Sequence, residues 1–218
     1  MLATTLAVSV ATAGLIQAES CWRDTPCSTI TEPSFPGPWD QNIFAPETRT
    51  VSPVNVLSLA NAFVISTYSG AKSLHGNASA LVFDFGVEVG GVLSVDFTTT
   101  GAPGSFGFAF TEAKDYIGLQ SDSSNGKFAS GDGALYSDFE SAGNYSYTME
   151  DQKMRGGFRY LTVFLRAQAN KTVALDIDSI TLELSFHPTW SNLKAYQGYF
   201  HCNDEMLNKI WYLGAYTI

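Results

Sequence analysis

Apolar and polar residues alternate between residues 56 and 186, the pattern of β-strands that bury one face. In 81–85 the odd positions are apolar. The same alternation recurs at Leu93, Val95 and Phe97 and again at Phe106, Phe108 and Phe110. Clusters of Gly, Asn, Asp and Ser separate these runs, and no helix-length periodic stretch lies among them. The pattern predicts a mainly β domain over 56–188, an antiparallel β-sandwich of the jelly-roll type.

Two strands of this prediction have a distinctive character. Gly107 and Ala109 leave one face of the Phe-rich strand nearly bare, as expected where another layer approaches closely. Residues 158–165 are apolar on both faces apart from Arg159 and Thr162, which predicts a central strand.

Interruptions of the pattern predict irregular backbone. Apolar residues change parity between 173–177 and 180–186, so we expect a bulge or a short turn at 178–179. The Gly-rich stretches 86–91 and 101–107 lie between β-patterned runs and open no helix, so they do not fit a phosphate-binding loop. We interpret them as turns between strands.

The segment before the β-pattern is rich in proline. Residues 19–55 carry Pro at six positions with little periodicity, which predicts an extended arm laid over the domain surface. Its aromatic residues are expected to dock the arm, and a sugar-stacking platform at Trp39 is the alternative.

After Pro188 the sequence predicts a linker and a helix, within 189–218. Asn203 is the expected N-cap, because acidic residues follow it at 204–205 in the first turn. Apolar residues then follow at helical spacing: Leu207, Ile210, Trp211 and Gly214, with Met206 and Leu213 beside them. No glycine, proline or basic turn ends the helix before Ile218, so we expect its apolar side to require a partner outside these residues.

Residues 1–18 have the character of a signal peptide. They contain no charged side chain, and their apolar stretch ends in small residues, so we predict cleavage after Ala18 or Ser20. A membrane anchor is the alternative, but the apolar run is shorter than the ~20 residues that span a bilayer and contains several Thr and Ser. We expect a secreted, extracellular protein with no membrane partner.

Glycosylation acceptors and cysteines agree with that compartment. Three Asn residues begin Asn-X-Ser/Thr tripeptides without proline: Asn77, Asn144 and Asn170. Cys21 and Cys27 lie six apart, a spacing that can close a disulfide loop. Cys202 then has no partner. A reactive thiol or an intermolecular bridge is one interpretation, and a small, half-buried residue before the helix is the one we favour.

Composition narrows the classes of function. The 218 residues are 45% hydrophobic and 15% charged, so we expect a folded chain, since disordered segments combine low hydrophobicity with high charge. Twelve Lys and Arg against 21 Asp and Glu give a net charge of -9, a poor match to a phosphate backbone. We expect no nucleic-acid partner.

No residue set forms a recognisable catalytic or metal centre. His75, His187 and His201 are far apart, and none pairs with another His or a Cys at a ligand spacing. The nucleophile motif Gly-x-Ser-x-Gly is missing. Loop carboxylates could serve glycoside hydrolysis, although their separation does not follow from sequence. They are Glu88, Glu112, Asp115 and Asp122. The sequence therefore predicts no catalytic residue, no cofactor and no metal site in this chain.

Several stretches, taken in order, are similar to one known family. They are 21–27 (CWRDTPC), 36–40 (PGPWD), 81–91 (LVFDFGVEVGG), 110–113 (FTEA), 156–161 (GGFRYL), 188–192 (PTWSN) and 198–211 (GYFHCNDEMLNKIW). The set resembles the N-terminal β-region of fungal α-L-rhamnosidases of glycoside hydrolase family 78, in the six-hairpin glycosidase superfamily. In that family the last stretch leads into the first helix of an (α/α)6 barrel, and Ser is common where this chain has Cys202.

The resemblance implies an inverting hydrolysis of terminal α-L-rhamnosyl residues. Its general acid and general base both lie in the barrel, and no position of this sequence matches them. Twelve helices of ~11 residues with ~5-residue connections need on the order of 200 residues. Only 32 residues follow Phe186 (218 minus 186). We therefore expect the non-catalytic N-terminal portion of a secreted glycoside hydrolase, inactive alone, whose C-terminal barrel is missing.

The alternative hypothesis is a stand-alone carbohydrate-binding β-sandwich. Exposed aromatic side chains such as Trp39 and Tyr116 would then stack on sugar rings. On either hypothesis the partner is a carbohydrate, reached through the full-length protein in the first case and directly in the second.

Overall fold

A computed structural model describes residues 30–122, 133–167 and 171–217. The strands in these ranges are β1 (Thr50–Val51), β2 (Asn55–Leu57), β3 (Val64–Thr67), β4 (Lys72–His75), β5 (Ala80–Thr100), β6 (Gly104–Thr111), β7 (Leu135–Phe139), β8 (Gly143–Thr148), β9 (Arg155–Ala167) and β10 (Ala174–Leu184). Short 3-10 helices lie at Pro38–Asn42, Lys114–Tyr116 and Asp151–Lys153, and the helix α1 spans Glu205–Thr217. The predicted signal peptide, Cys21, Cys27 and Asn170 lie outside the described residues.

The long strand β5 takes part in two layers. Its first part, 80–84, pairs with β2 on one side and β9 on the other. β9 also pairs with β6, and β6 pairs with β7. Its last part, 91–100, pairs with β10 and β8, and β10 also pairs with β1 and β4. All of these pairings are antiparallel.

Aromatic side chains fill the space between the two layers. Phe106 and Phe108 of β6 are fully buried. The ring centroid of Phe106 lies 4.4 Å from that of Phe97 on β5, and the centroid of Phe108 lies 4.8 Å from that of Tyr147 on β8. Each contact joins a strand of one layer to a strand of the other. The predicted mainly β, antiparallel sandwich is therefore confirmed.

Among the residues that the structure describes, the bare face of β6 is covered by its neighbouring strand and not by a further layer. Gly107 pairs with Phe164 of β9, and a Cβ atom at Gly107 would lie 2.2 Å from the Phe164 ring. Tyr136 of β7 packs against the same ring at 6.0 Å between centroids. The close approach predicted at Gly107 is present, but the atoms that approach it belong to the Phe164 ring on the neighbouring strand.

Two strand predictions are confirmed by the pairing. β9, which contains 158–165, pairs with both β5 and β6 and is central in its layer. The register of β10 against β5 shifts between Ile177 and Ser179, so the predicted irregularity at 178–179 is present as a bulge.

The interpretation of 86–91 as a turn between strands is wrong. β5 runs through this stretch, and its pairing with β9 becomes irregular between Asp84 and Gly91. Gly86 and Gly91 adopt φ angles of 79° and 154°, which residues with a Cβ rarely do. The glycines therefore bend one continuous strand and carry it from one layer to the other.

Asp84 holds the bend of β5 against β9. Its carboxylate accepts hydrogen bonds from Arg159 Nε at 2.7 Å, from Arg159 Nη2 at 3.1 Å and from the Gly86 amide at 2.7 Å. Burial alone would raise the pKa of Asp84, but the hydrogen bonds from Arg159 and Gly86, with the charge of Arg159, outweigh it and lower the pKa below its ordinary value. The folded state therefore favours the ionised carboxylate.

We expect Asp84→Asn to lower the free energy of unfolding by about 1–2 kcal/mol at neutral pH, because it removes one charge of a partly exposed pair. A group with a lowered pKa stabilises the fold fully above its unfolded value, here 3.8, and this contribution is lost as the pH falls through the folded value. Urea unfolding of both proteins at neutral pH and in acid should show a difference that shrinks below that pH. Asp115→Asn, which changes an exposed carboxylate, is the control. A difference of equal size at both pH values would contradict the assignment.

Candidate functional site

The helix α1 is anchored to the sandwich by one face. Tyr212 is fully buried on that face, with its ring centroid 6.0 Å from that of Tyr196. Tyr216 lies one turn further on, 4.9 Å from the ring of Phe186, and its hydroxyl donates a hydrogen bond to the carbonyl oxygen of Glu88 at 2.9 Å. The helix therefore packs against both the segment after β10 and the bend of β5.

The phenol groups of Tyr196, beneath α1, and of Tyr216, on α1, remain protonated at physiological pH. Burial, together with the nearby Tyr216 and Tyr212, raises the pKa of Tyr196 to about 12. Burial and the negative charge of Glu88 raise the pKa of Tyr216 to about 12. Because its phenol stays protonated at physiological pH, Tyr216 remains a hydrogen-bond donor to the β5 backbone.

The N-terminus of α1 is capped by Asp204. Its Oδ1 accepts hydrogen bonds from the N–H groups of Met206 at 2.9 Å and Leu207 at 3.3 Å. The prediction of Asn203 as N-cap is therefore wrong by one residue. Both residue types can accept these bonds, and the register of the first turn decides which of them does.

Asn208 fastens the residues before α1 to the helix. It accepts a hydrogen bond from the amide of Cys202 at 2.8 Å and donates one to the carbonyl oxygen of the same residue at 3.0 Å. Cys202 is half-buried with a free thiol, 3.4 Å from backbone atoms of Asp204. This surrounding agrees with the interpretation of Cys202 as a packing residue before the helix.

The opposite face of α1 presents an apolar stripe to solvent. The stripe consists of Met206, Leu207, Ile210, Trp211 and Leu213, with exposed fractions between 36% and 65%. Trp211 has a ring neighbour, Phe200, at 6.4 Å. Monomeric proteins rarely leave so many large apolar side chains together at one surface, so the stripe is the strongest candidate for a functional surface.

The Pro-rich arm is fastened to the residues before α1 by stacked aromatic rings. Trp39 lies 4.5 Å from Tyr199 in a stacked arrangement and 5.5 Å from His201, and its indole N–H donates to the carbonyl oxygen of Phe35 at 2.8 Å. The Ser34 amide also donates to the carbonyl oxygen of Tyr196 at 3.1 Å. Trp39 therefore docks the arm, as expected of its aromatic residues.

Tyr116, the second ring predicted to stack on sugars, is 73% exposed on the 3-10 helix Lys114–Tyr116. No other described aromatic ring packs on it. Trp39 lies on a different element, the 3-10 helix Pro38–Asn42, and one face of its ring is already used by Tyr199. Tyr116 and Trp39 therefore do not lie together at one common site in the structure, and their role in sugar binding stays a prediction.

Two of the predicted glycosylation acceptors are within the described ranges. Asn77 and Asn144 are both exposed. Their side-chain oxygens accept hydrogen bonds, from the Ala167 amide at 3.1 Å and from Thr98 Oγ1 at 3.0 Å. Their amide nitrogens, which a glycan would modify, are not the atoms used in these bonds.

Three of the four loop carboxylates are electrostatic neighbours. Burial and the negative charges of Glu88 and Asp122 raise the pKa of Glu112, and Asp122 Oδ2 accepts a hydrogen bond from the Glu112 amide at 2.7 Å. Asp115 does not contribute to this effect. Within the described ranges, no three His, Cys, Asp or Glu side chains come together as a metal site.

His187 is a packing residue. Its ring lies 3.9 Å from Phe186 and 3.8 Å from Trp190, between centroids. Burial, and secondarily the charge of Arg49, lower the pKa of His187 and favour its neutral form. Arg49 itself donates hydrogen bonds to the carbonyl oxygens of Phe186, His187 and Trp190.

In the part of the chain that the structure describes, no helix has the length and apolar character needed to cross a membrane.

The stretches that carry the family resemblance contact each other in pairs. Asp84 of 81–91 binds Arg159 of 156–161. Trp39 of 36–40 stacks on Tyr199 of 198–211. These pairs join residues that are distant in sequence, so a local sequence pattern does not predict which residue contacts which. Their local signals, a lone Asp and a lone Trp, are indistinguishable from those of surface residues.

No protein-family model matches this sequence, and no curated protein matches it. Among solved structures, a rhamnosidase from Klebsiella oxytoca with rhamnose bound is similar at 17% identity and a TM-score of 0.48, over 67% of this chain and 31% of that one. A GH78 family rhamnosidase of Bacillus sp. GL1 is similar at 20% identity and a TM-score of 0.40, over 81% of this chain and 15% of that one.

A chain of rhinovirus-B5 is similar at 14% identity and a TM-score of 0.28, over 84% of this chain and 96% of that one. This chain thus spans less than a third of the length of either rhamnosidase. All three TM-scores are below 0.5.

Proposed function

We propose that this chain is the N-terminal, non-catalytic portion of a secreted glycoside hydrolase similar to α-L-rhamnosidases. The observation that carries the proposal is the apolar stripe of α1. One face of this helix is fixed to the sandwich by Tyr212 and Tyr216, and the other offers five large apolar side chains to solvent. A helix with apolar residues on both faces requires a second packing partner.

The occupant of the stripe is a helical domain that follows in the same polypeptide. Four of the five stripe residues, all but Leu213, lie within 198–211, the stretch whose likeness to family 78 enzymes implies the first helix of an (α/α)6 barrel. Antiparallel helices in such a domain would bury the stripe in the way that helices normally pack, side chain row against side chain row. The sandwich would then serve as a support for the barrel, which would hold the general acid and general base.

Secretion is part of the same proposal. Cleavage of residues 1–18, a disulfide between Cys21 and Cys27, and glycans at Asn77, Asn144 and Asn170 would all follow from passage through an oxidising secretory compartment. The exposed positions of Asn77 and Asn144 support the glycan assignments.

The transcript sequence beyond Ile218 tests the placement of the catalytic domain. An open reading frame that encodes further amphipathic helices supports the proposal. An in-frame stop codon directly after Ile218 in a full-length transcript would overturn it.

We also expect the purified chain to show no turnover of aryl α-L-rhamnosides, because its residues include no matched acid and base pair from the barrel. Release of the chromogenic aglycone is the measurement, with a family 78 enzyme as the positive control. Activity that copurifies with the chain through successive columns would contradict the assignment of catalysis to a missing domain.

A further inference from the structure

His187 lies at the centre of the ring cluster that carries α1. Its ring centroid is 3.9 Å from that of Phe186 and 5.7 Å from that of Tyr196. Phe186 packs on Tyr216 of α1 at 4.9 Å between centroids. Tyr196 packs on Tyr212 of α1 at 6.0 Å. Both rings that anchor α1 are therefore neighbours of His187, so a displacement of this imidazole acts on both anchors at once.

The backbone at His187 is strained and firmly held. Its φ angle is 44°, in the left-handed region that few residues other than glycine adopt. The guanidinium of Arg49 holds this turn, because it donates hydrogen bonds to the carbonyl oxygens of the residues around it. These are Phe186 at 3.2 Å, His187 at 2.8 Å and Trp190 at 2.8 Å. Strained backbone of this kind persists only where the surroundings impose it, and it is typical of segments that switch conformation.

The imidazole of His187 has no acceptor for a second proton. Its Nδ1 atom is buried and makes no hydrogen bond within the described residues. A neutral imidazole leaves one ring nitrogen without a proton, whereas the imidazolium carries a proton on both. Protonation therefore places an N–H donor and a positive charge at a buried position where no oxygen receives them, which costs free energy.

The charged groups around His187 also oppose its protonation. Burial and the positive charge of Arg49 lower the pKa of His187 below its ordinary value of 6.5. The negative charge of Glu183 on β10 acts on Arg49 and not on His187. The remaining ionisable groups of the packed elements are neutral or paired: Tyr196 and Tyr216, which stay protonated, and Lys194, which forms an ion pair with Glu47.

We propose that His187 is an acid-sensitive latch between the sandwich and α1. Protonation of the imidazole displaces it from Phe186 and Tyr196, and this weakens the packing of Tyr212 and Tyr216 on the sandwich. The sign follows from burial: when α1 is released the imidazole is exposed, and its pKa returns to the ordinary 6.5. The released state therefore binds the proton first as the pH falls, so the attachment of α1 is strongest above pH 6.5 and weakens below it.

Hydrogen exchange of the α1 amides in dilute solution, between about pH 7.5 and about pH 5.5, tests the latch. We expect their protection, corrected for intrinsic exchange, to fall by about threefold or more across this range, while the amides of β9 stay protected. In His187→Asn the protection should not depend on pH, because Asn does not titrate and tolerates a positive φ. His187→Phe keeps an aromatic ring without a titrating group and should also remove the pH dependence.

The other two histidines of the chain are the matched controls. His75 is exposed on β4, and His201 is exposed beside Trp39. His75→Asn and His201→Asn should both keep the loss of protection of the wild type. The proposal is overturned if the wild type loses no protection between these pH values, or if the loss survives in both His187→Asn and His187→Phe. Disappearance of the loss in His201→Asn would also overturn it, because it would assign the titration to the contact with the arm.

Discussion

Replacing Gly91 with alanine should destabilise the sandwich by about 3 kcal/mol or more, because the backbone of the neighbouring strand β10 leaves no room for a side chain. A Cβ atom at this position would lie 1.9 Å from the carbonyl oxygen of Glu183 and 3.0 Å from the Cα of Leu184. Both atoms belong to the backbone of β10. A φ angle of 154° adds conformational strain for any residue with a side chain. For a chain of this size, thermal unfolding should move down by about 10 °C.

Gly156→Ala is the matched control for this substitution. Gly156 lies on β9 beside the same bend, and a Cβ there would meet no atom within 4 Å. Its φ is not in the left-handed range, so the alanine should change stability by less than about 1 kcal/mol and in the stabilising direction. Equal stability of Gly91→Ala and Gly156→Ala in urea would show that β5 does not run continuously between the layers as described.

The behaviour of β5 shows where sequence patterns succeed in this protein and where they fail. The alternation of apolar residues predicts the strands correctly, and the parity change at 178–179 predicts a bulge, because both depend only on which side chains face the core. The course of the chain through 86–91 depends on backbone contacts instead. Glycine is equally typical of a turn and of a strand bend, and only the neighbouring backbone of β10 decides between them.

The candidate site was likewise predictable from the sequence only in part. The apolar residues of α1 were predictable from helical spacing, but the face that is buried follows from Tyr196 and Phe186, which lie before the helix in the chain. The stacking of Trp39 on Tyr199 joins residues 160 positions apart (199 minus 39). No local pattern distinguishes a tryptophan with such a partner from one that is free to stack on a sugar.

The two faces of α1 also determine how its function can be tested. Deleting the helix would remove the apolar stripe, but it would also remove Tyr212 and Tyr216 and expose the rings of Tyr196 and Phe186 beneath them. Any change in solubility would then have two opposing causes. Substitutions confined to the stripe avoid this, because its side chains make up the exposed face.

We therefore expect the isolated chain to self-associate through the stripe and the double variant Leu207→Lys with Ile210→Lys to be monomeric. Burial of two such side chains contributes several kcal/mol, so their removal should weaken association on the order of a hundredfold or more. Sedimentation velocity over a range of concentrations measures this, and the thermal midpoint should hardly change since both side chains face solvent.

The matched control is Ile65→Lys on β3. Ile65 is 57% exposed, close to the 54% of Ile210, and β3 is an edge strand that pairs only with β2 among the described strands. Apolar edge strands are themselves prone to pair with other chains, so β3 is the strongest rival for association. If Ile65→Lys gives the monomer and the α1 variant still associates, the stripe is not the docking face. If only the α1 variant is monomeric, the surface that a helical domain would cover is the one that the isolated chain uses for itself.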